Sequence, residues 1–304
     1  MHTPLFINRI RLGAILGLVI ICSTLHAESG VRIALSSHKV NQGDTIKVEI
    51  LTRKALDQGT IKLNGHTFSV FRNPNKTSRL NYSHRYIGYV GISRKLKPRR
   101  YLLDFSLKYL DKTRYKTQFK LWVKDGRFKK EHITLSKKKK SIQRDYSTLG
   151  NENATLKKAI TPLIRKKLFN YPFILPVKGR LSSPYGGMRI YNNRPAWSHS
   201  GIDIAAPKGT PIKAANSGKV TLVDSFKVHG NTLVIDHGFG ITTIYNHLEK
   251  AVVKVGDRVR KGQIVGHVGS TGVATGPHVH WGLTVGRIRV NPRVWLTNRN
   301  LYDY

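Results

Sequence analysis

The sequence predicts an all-β protein in which two strand-rich regions are joined by a short helical linker. Apolar and polar residues alternate in short bursts from Val31 to about Leu135, and alternation returns from about Tyr171 with many more glycines. A period of two places one face of a strand against a core and the other in water. The stretch between these regions is polar and basic, which separates the chain into two β domains.

The first region contains seven bursts separated by turn-forming sequences such as NQGD, LNGH, RNPN and KDGR. The bursts are VRIALSS, TIKVEIL, GTIKLNGHTFSVF, YIGYVGI, YLLDFSLKYL, TQFKLWV and EHITL. Short strands at this spacing are typical of an antiparallel sandwich of the immunoglobulin type. We therefore assign residues 28–136 to an immunoglobulin-like β-sandwich, and its lack of metal-ligand spacing favours a binding or positioning role.

Residues 137–170 form the predicted linker, which opens with the lysine run Lys137 to Lys140. Its two apolar-containing segments, ATLKKAI and TPLIRKKLF, predict two short helices. The second has Thr161 as a cap and Pro162 at the first helical position, where proline is favoured.

Residues 171–304 form the second predicted domain. Segments such as GNTLVIDHG, ITTIYNHL and QIVGHVGSTG combine β-branched residues with glycine-bearing turns. This pattern predicts a compact antiparallel β domain built from hairpins.

The first 27 residues have the layout of a secretory signal peptide. Arg9 and Arg11 precede an apolar run from Leu12 to about Thr24, and small and polar residues follow. Cleavage after Ala27 is predicted, with an uncleaved membrane anchor as the alternative. We therefore expect an exported protein of the periplasm or cell envelope, with secretion from the cell as the alternative location.

The net charge indicates which kinds of partner the chain can attract. It is +37, from 53 Lys and Arg against 16 Asp and Glu, so polyanions should be attracted. Export separates the protein from the nucleic acid of its own cell, so no nucleic acid partner is expected. Peptidoglycan, other anionic envelope polymers or a membrane surface are the expected partners.

Histidines and one aspartate suggest a metal site in the second domain. His199 and Asp203 lie in HSGID, while His278 and His280 alternate in HVH and so share one face of a strand. Three ligands drawn from these four residues would leave a fourth position for water, as in catalytic zinc sites. The spacing leaves open which histidine of HVH is the ligand, and the remaining one would face the water.

A zinc-bound water attacking an amide needs help with proton transfer. Glu249 is the only glutamate after Glu152, and the helical H-E-x-x-H signature is absent. The acid and base roles are therefore expected to fall to histidines.

Several motifs in order resemble one known family. SSPYGGMRI, HSGIDIAAPKGTPIKAANSGKV, IYNHL, GPHVHWGL and VNP extend from about Leu181 to Leu296. Together they resemble the M23 family of zinc metallopeptidases, the lysostaphin and LytM type that hydrolyse peptide cross-links of peptidoglycan. The upstream region is similar, more loosely, to the immunoglobulin-like domain that some envelope members carry.

The resemblance implies one zinc ion per chain with the ligands His199, Asp203 and His280. It also implies that His247 and His278 flank the metal-bound water as base or oxyanion partner. The expected activity is that of an exported endopeptidase. The alternative is a non-hydrolytic cell-wall-binding protein or an activator of other peptidoglycan hydrolases. A regulatory protein partner is a further expectation. The secretory layout favours directly cross-linked D-amino acids over glycine-rich bridges as the substrate.

One further expectation concerns the substrate groove. Arg189 or Asn193, which follow the SSPYGG segment, are expected to line it and to contact substrate carboxylates or carbonyls.

Overall fold

The computed structural model describes residues 23–26, 30–73, 82–137, 141, 145–161, 164–192, 194–297 and 301. Strands dominate this part of the chain, which confirms the all-β prediction. Most of the predicted signal peptide and part of the lysine run lie outside the described residues. None of the helices described is long and apolar enough to cross a membrane.

The upstream strands follow one another along the chain and belong to one connected sheet, with the order β1-β2-β4-β7-β6-β5-β8-β9-β3. They are β1 (Ser23–His26), β2 (Val31–Leu35), β3 (Lys39–Asn41), β4 (Thr45–Thr52), β5 (Leu56–Leu63), β6 (His66–Arg72), β7 (His84–Gly91), β8 (Arg99–Tyr109) and β9 (Arg114–Lys124). The first half of β6 pairs with β5 and its second half with β7, so this strand joins two layers. The immunoglobulin-like classification of these layers stays a prediction.

The downstream strands form a three-stranded sheet, β10-β12-β13, and a larger sheet with the order β11-β14-β21-β18-β17-β16-β19. Strands β15 and β20 pair with each other, β20 also pairs with β18, and β22 pairs with β21. The strands are β10 (Lys130–Ile133), β11 (Arg180–Ser183), β12 (Met188–Tyr191), β13 (Arg194–Ser198), β14 (Gly201–Ala205), β15 (Pro211–Lys213), β16 (Gly218–Phe226), β17 (Gly230–Gly238), β18 (Ile241–Ala251), β19 (Arg258–Val259), β20 (Ile264–Val268), β21 (His278–Val285) and β22 (Ile288–Val290). Two helices accompany them in the described residues, α1 (Tyr146–Ala159) and α2 (Val294–Thr297).

Strand β10 corrects the prediction for EHITL. The sequence assigns this segment to the upstream sandwich, but β10 pairs in parallel with β12 of the downstream region. Its neighbour Phe128 packs edge-on against Tyr185, with ring centroids 5.9 Å apart. The segment therefore takes its partners from the second domain. The prediction failed because alternation shows that a segment is a strand but does not show which sheet the strand joins.

The linker contains one of the two predicted helices. ATLKKAI lies at the end of α1, which starts earlier than predicted because Asp145 caps it by accepting a hydrogen bond from the Thr148 N–H. The second predicted helix, TPLIRKKLF, is wrong for residues 164–169, which are not helical. There the Ile164 carbonyl accepts from Phe239 N–H at 3.2 Å and Leu168 N–H donates to His237 at 2.9 Å, so the backbone pairs with the β17–β18 turn instead of with itself.

The two strand-rich regions share one hydrophobic core. Trp295 of α2 is fully buried, donates from its indole to Thr45 Oγ1 at 3.1 Å and packs on Tyr89 with ring centroids 5.4 Å apart. Phe71 stacks on Phe239 at 4.9 Å. The upstream and downstream sheets are therefore held together by apolar packing and not only by the linker. The boundaries at residues 136 and 170 stay predictions.

The burial of His237 leads us to expect that the free energy of unfolding depends on pH. Its Nδ1–H donates to the Ser217 carbonyl at 2.7 Å and its Nε2 accepts from Thr243 Oγ1 at 2.8 Å, so the ring is neutral, and burial lowers its pKa to about 4. An unfolded histidine titrates near 6.5, so the unfolded chain binds the extra proton between these values and stability falls as pH falls from about 6.5 to 4. We expect His237 to account for about 3 kcal/mol of that loss.

Urea unfolding at pH 7.5 and pH 4.5 checks this. His237→Gln should lose less stability between the two pH values than the wild type, whereas the exposed-residue control His66→Gln should behave like the wild type. Equal losses in wild type and His237→Gln would contradict the assignment.

Candidate active site

The candidate site lies where β14 and β21 pair in antiparallel fashion. The register places Asp203 directly opposite His280 and Ala205 opposite His278. Ile202 and Ile204, which flank Asp203, are buried in the apolar core. Because side chains alternate along a strand, Asp203 then projects from the other face, beside His280.

Three predicted ligands converge on one point. His199 Nε2 lies 2.9 Å from Asp203 Oδ1, His280 Nδ1 lies 2.8 Å from the same oxygen, and the two ring nitrogens are 2.9 Å apart. All three side chains are buried. The structure thus places His280, and not His278, in the cluster that could hold a metal ion.

The protonation of these side chains fits a cation. The Pro184 carbonyl lies 2.7 Å from His199 Nδ1 and can only accept, so Nδ1 carries a proton, and the neutral tautomer of this ring presents the Nε2 lone pair to the point where Asp203 and His280 converge. A carboxylate and two imidazoles with converging lone pairs form a donor set of the zinc type.

The pKa values support the same protonation. Burial lowers the pKa of His280 to about 3, against the opposing effect of Asp203. Burial alone would raise the pKa of Asp203, but at the low pH where this carboxyl titrates the charges and hydrogen bonds of His199 and His280 outweigh burial and hold that pKa well below its ordinary value. At pH 7 Asp203 is therefore ionised and the His280 ring is neutral, and these are the forms that bind a metal.

His247 and His278 lie beside this cluster. Their ring centroids are 4.9 Å apart, and His278 Nε2 is 3.9 Å from Asp203 Oδ1. His247 Nδ1–H donates to the Thr271 carbonyl and His278 Nδ1–H to the Gly276 carbonyl, each at 2.8 Å. In the neutral form each ring therefore has its lone pair on Nε2.

His247 is held in an unusual backbone conformation. Its φ is +64°, in the left-handed region that non-glycine residues rarely adopt. It lies in β18, where the register with β17 shifts, and its N–H donates to the His229 carbonyl at 3.0 Å. Burial and the nearby His278 and His280 lower the pKa of His247 well below its ordinary value, so the ring is neutral at pH 7. Strain of this kind is common at functional sites.

Arg189, one of the two residues expected to line the groove, lies against the ligand cluster. Its guanidinium pairs with Asp203 Oδ2 and donates to Ser183 Oγ at 3.1 Å, so it supports the ligand cluster. Glu131 also reaches this region, with Oε2 3.6 Å from Arg189 Nε. Asn193 lies outside the described residues.

Gly201 makes the close approach of the two strands possible. A Cβ at this position would lie 2.4 Å from the Trp281 carbonyl oxygen and 2.8 Å from His280 Nε2. The positions of the ligands therefore require glycine at this place in HSGID. The spacing of the motif alone does not reveal this requirement.

Comparison with known proteins identifies the segment that carries these side chains. Residues 197–292 match the model of the family described as Peptidase family M23. This segment is an M23 peptidase domain. The match contains His199, Asp203, His247, His278 and His280 and begins downstream of Ser183 and Arg189.

Curated relatives resemble the M23 domain. The DD-carboxypeptidase/endopeptidase Mpg of Neisseria meningitidis is 41% identical over 114 residues, which are 37% of this chain and 26% of the relative. The peptidoglycan DD-endopeptidase ShyC of Vibrio cholerae is 44% identical over 96 residues, 32% of this chain and 22% of the relative. The chain thus spans about a quarter of the length of these relatives.

One solved structure extends the likeness beyond the M23 domain. The crystal structure of a putative peptidase M23 from Pseudomonas aeruginosa matches with a TM-score of 0.55 and 27% identity, over 84% of this chain and 93% of that one. The arrangement of upstream strands and M23 domain is therefore shared with another protein.

The contact at Gly201 predicts a specific loss. Gly201→Ala would push against a backbone carbonyl and His280, so we expect destabilisation by about 1–3 kcal/mol and zinc affinity at least about tenfold lower. Thermal unfolding and competition with a chromophoric zinc chelator measure the two effects.

Gly150→Ala in α1 is the matched control. A Cβ there meets nothing within 4 Å, so this variant should bind zinc like the wild type and be equally or more stable. Unchanged zinc affinity in Gly201→Ala would show that His280 does not depend on this contact.

Proposed function

We propose that this protein is an exported zinc metalloendopeptidase of the periplasm or cell envelope that hydrolyses peptide cross-links of peptidoglycan. The observation that carries the proposal is the buried cluster of His199, Asp203 and His280 inside an M23 domain, with His247 and His278 at its side. Relatives named as peptidoglycan DD-endopeptidases support peptidoglycan as the substrate and a bond between D-amino acids as the one cleaved.

The proposed chemistry divides between the metal and the two histidines. When bound, a zinc ion supplies a Lewis acid that lowers the pKa of water and polarises a carbonyl. Nε2 of His247, kept free by the hydrogen bond from Nδ1–H to Thr271, can accept a proton from the attacking water and return it to the leaving amine. The His278 ring lies 4.9 Å from the His247 ring between centroids, and its Nε2 can share that proton or, once protonated, stabilise the oxyanion.

Digestion of cross-linked peptidoglycan tests the proposal. The purified protein should convert cross-linked dimers to monomers, a chelator should stop this, and mass spectrometry should identify the cleaved bond. His280→Ala should lose zinc and activity together because it removes a ligand. His247→Ala should keep zinc and lose activity by at least about a hundredfold, as expected for a general acid–base group.

The outcomes separate enzyme from binding protein. Zinc uptake without release of fragments would support the alternative of a non-hydrolytic cell-wall-binding protein or activator. Activity retained in His247→Ala would contradict the role given to that residue.

We further propose that a basic face of the upstream sheet binds the peptidoglycan strand. Exposed side chains align on one face of β3, β5, β8 and β9, and seven of them are called the basic face: Lys39, Lys62, Arg100, Leu102, Lys116, Lys120 and Trp122. Asp104 lies among them, with its Oδ1 accepting from Gln118 Nε2 at 2.7 Å, so the cations outnumber the acidic side chain five to one.

Both the charge and the apolar side chains of this face favour a carboxylate-bearing polymer. Trp122 and Leu102 are 45% and 48% exposed, and the Arg100 guanidinium lies 5.1 Å from the Trp122 ring centroid. Exposed aromatic side chains among cations offer apolar contact to sugar rings and attraction to stem-peptide carboxylates.

Charge removal tests this face. Lys116→Gln/Lys120→Gln should weaken pelleting with purified sacculi about three- to tenfold, because each exposed ion pair contributes up to about 1 kcal/mol. The control Lys219→Gln/Arg258→Gln removes the same charge from an exposed pair on β16 and β19 and should bind like the wild type. Equal losses in both variants would indicate net charge alone, and a loss only with anionic vesicles would indicate a membrane surface instead.

A further inference from the structure

Strand β10 brings a carboxylate to the M23 site from outside the matched segment. In the parallel register of β10 with β12, Glu131 is paired with Arg189. The Glu131 side chain is only 18% exposed, and its Oε2 lies 2.7 Å from Ser183 Oγ. Gly187 makes room for it, because a Cβ there would lie 2.9 Å from the Glu131 carboxylate.

One branch of contacts leads from Glu131 to His199. A carboxylate can only accept, so the Ser183 hydroxyl donates to Glu131 and its oxygen lone pairs face the other way. Ser183 Oγ then accepts from His199 Nδ1–H at 3.0 Å, and the same N–H also faces the Pro184 carbonyl. Glu131 therefore favours the tautomer that leaves His199 Nε2 free for a metal.

A second branch leads from Glu131 to Asp203. The Arg189 guanidinium lies between the two carboxylates and is buried, with 14% of its side chain exposed. It binds Asp203 Oδ2, which leaves Oδ1 facing His199 Nε2 and His280 Nδ1. Without Glu131, the Arg189 guanidinium would keep its contacts with Asp203, Ser183 and Tyr191 but would lose the second carboxylate that attracts it away from Asp203.

We propose that Glu131 is a positioning residue of the metal centre, acting through Ser183 on His199 and through Arg189 on Asp203. This inference rests on the proposed zinc site. In this proposal β10 supports the metal centre, although α1 and further segments separate it along the chain from the M23 domain.

The test measures zinc affinity of the full chain by competition with a chromophoric chelator. Glu131→Gln and Glu131→Ala should each bind zinc about tenfold more weakly than the wild type, the effect typical of lost outer-shell partners. Glu49→Gln, which removes the partner of Arg85 in the upstream sheet, is the matched control and should bind zinc like the wild type. Thermal unfolding of the zinc-free proteins shows that the variants are folded, and the nearly isosteric Glu131→Gln carries the test if Glu131→Ala is not.

A double-variant comparison separates positioning from general stability. In a protein that already carries Ser183→Ala, Glu131→Gln should lower the zinc affinity much less than it does in the wild type, because the contact from Glu131 through Ser183 to His199 is already absent. Unchanged zinc affinity in folded Glu131→Gln would overturn the inference while leaving the zinc site intact. No zinc uptake by the wild type would overturn the zinc site and, with it, the role of Glu131.

Discussion

The antiparallel pairing of β14 with β21 is the constraint on which the rest of the site depends. It places Asp203 opposite His280, and a slip of one residue would turn one of the two into the core. The next pair in the register, Ile202 and Trp281, is buried. Apolar packing on one face of the two strands therefore fixes the positions of the polar side chains on the other face. The stability of the core and the positions of the proposed ligands are therefore set by the same register.

The site is a polar cluster in apolar surroundings, and its hydrogen bonds determine where protons can lie. Backbone carbonyls hold the Nδ1–H of His199, His247 and His278, so these rings present Nε2. Such groups would be costly to bury without partners. These hydrogen bonds fix the ring orientations through the fold itself, which reduces the reorganisation needed during a reaction.

Much of the fold and the site could be predicted from the sequence, because the signals are local. Alternation identified most strands, and the ordered motifs contain the five histidine and aspartate side chains that the structure brings together. Glu131 could not be found in this way, since it is separated from Ser183 by 52 positions and reaches it through a parallel strand pair that has no local signature.

The other misses have the same origin in tertiary contacts. Residues 164–169 belong to a segment with a helical pattern, but hydrogen bonds between their backbone and the β17–β18 turn take the place of helical ones. The contacts of Arg189 with Asp203 and Glu131 could not be predicted either, because strand pairing brings together residues that are distant along the chain.

The shared core of the two regions has a geometric consequence. Trp295 joins α2 to Thr45 and Tyr89, so the upstream sheet cannot swing about the linker without breaking apolar packing. Under the proposed function, a polymer strand bound to that sheet would reach His247 and His278 at one fixed distance from the place where it is bound. The distance between the bound segment and the bond that is cut would then be set by the dimensions of the protein itself.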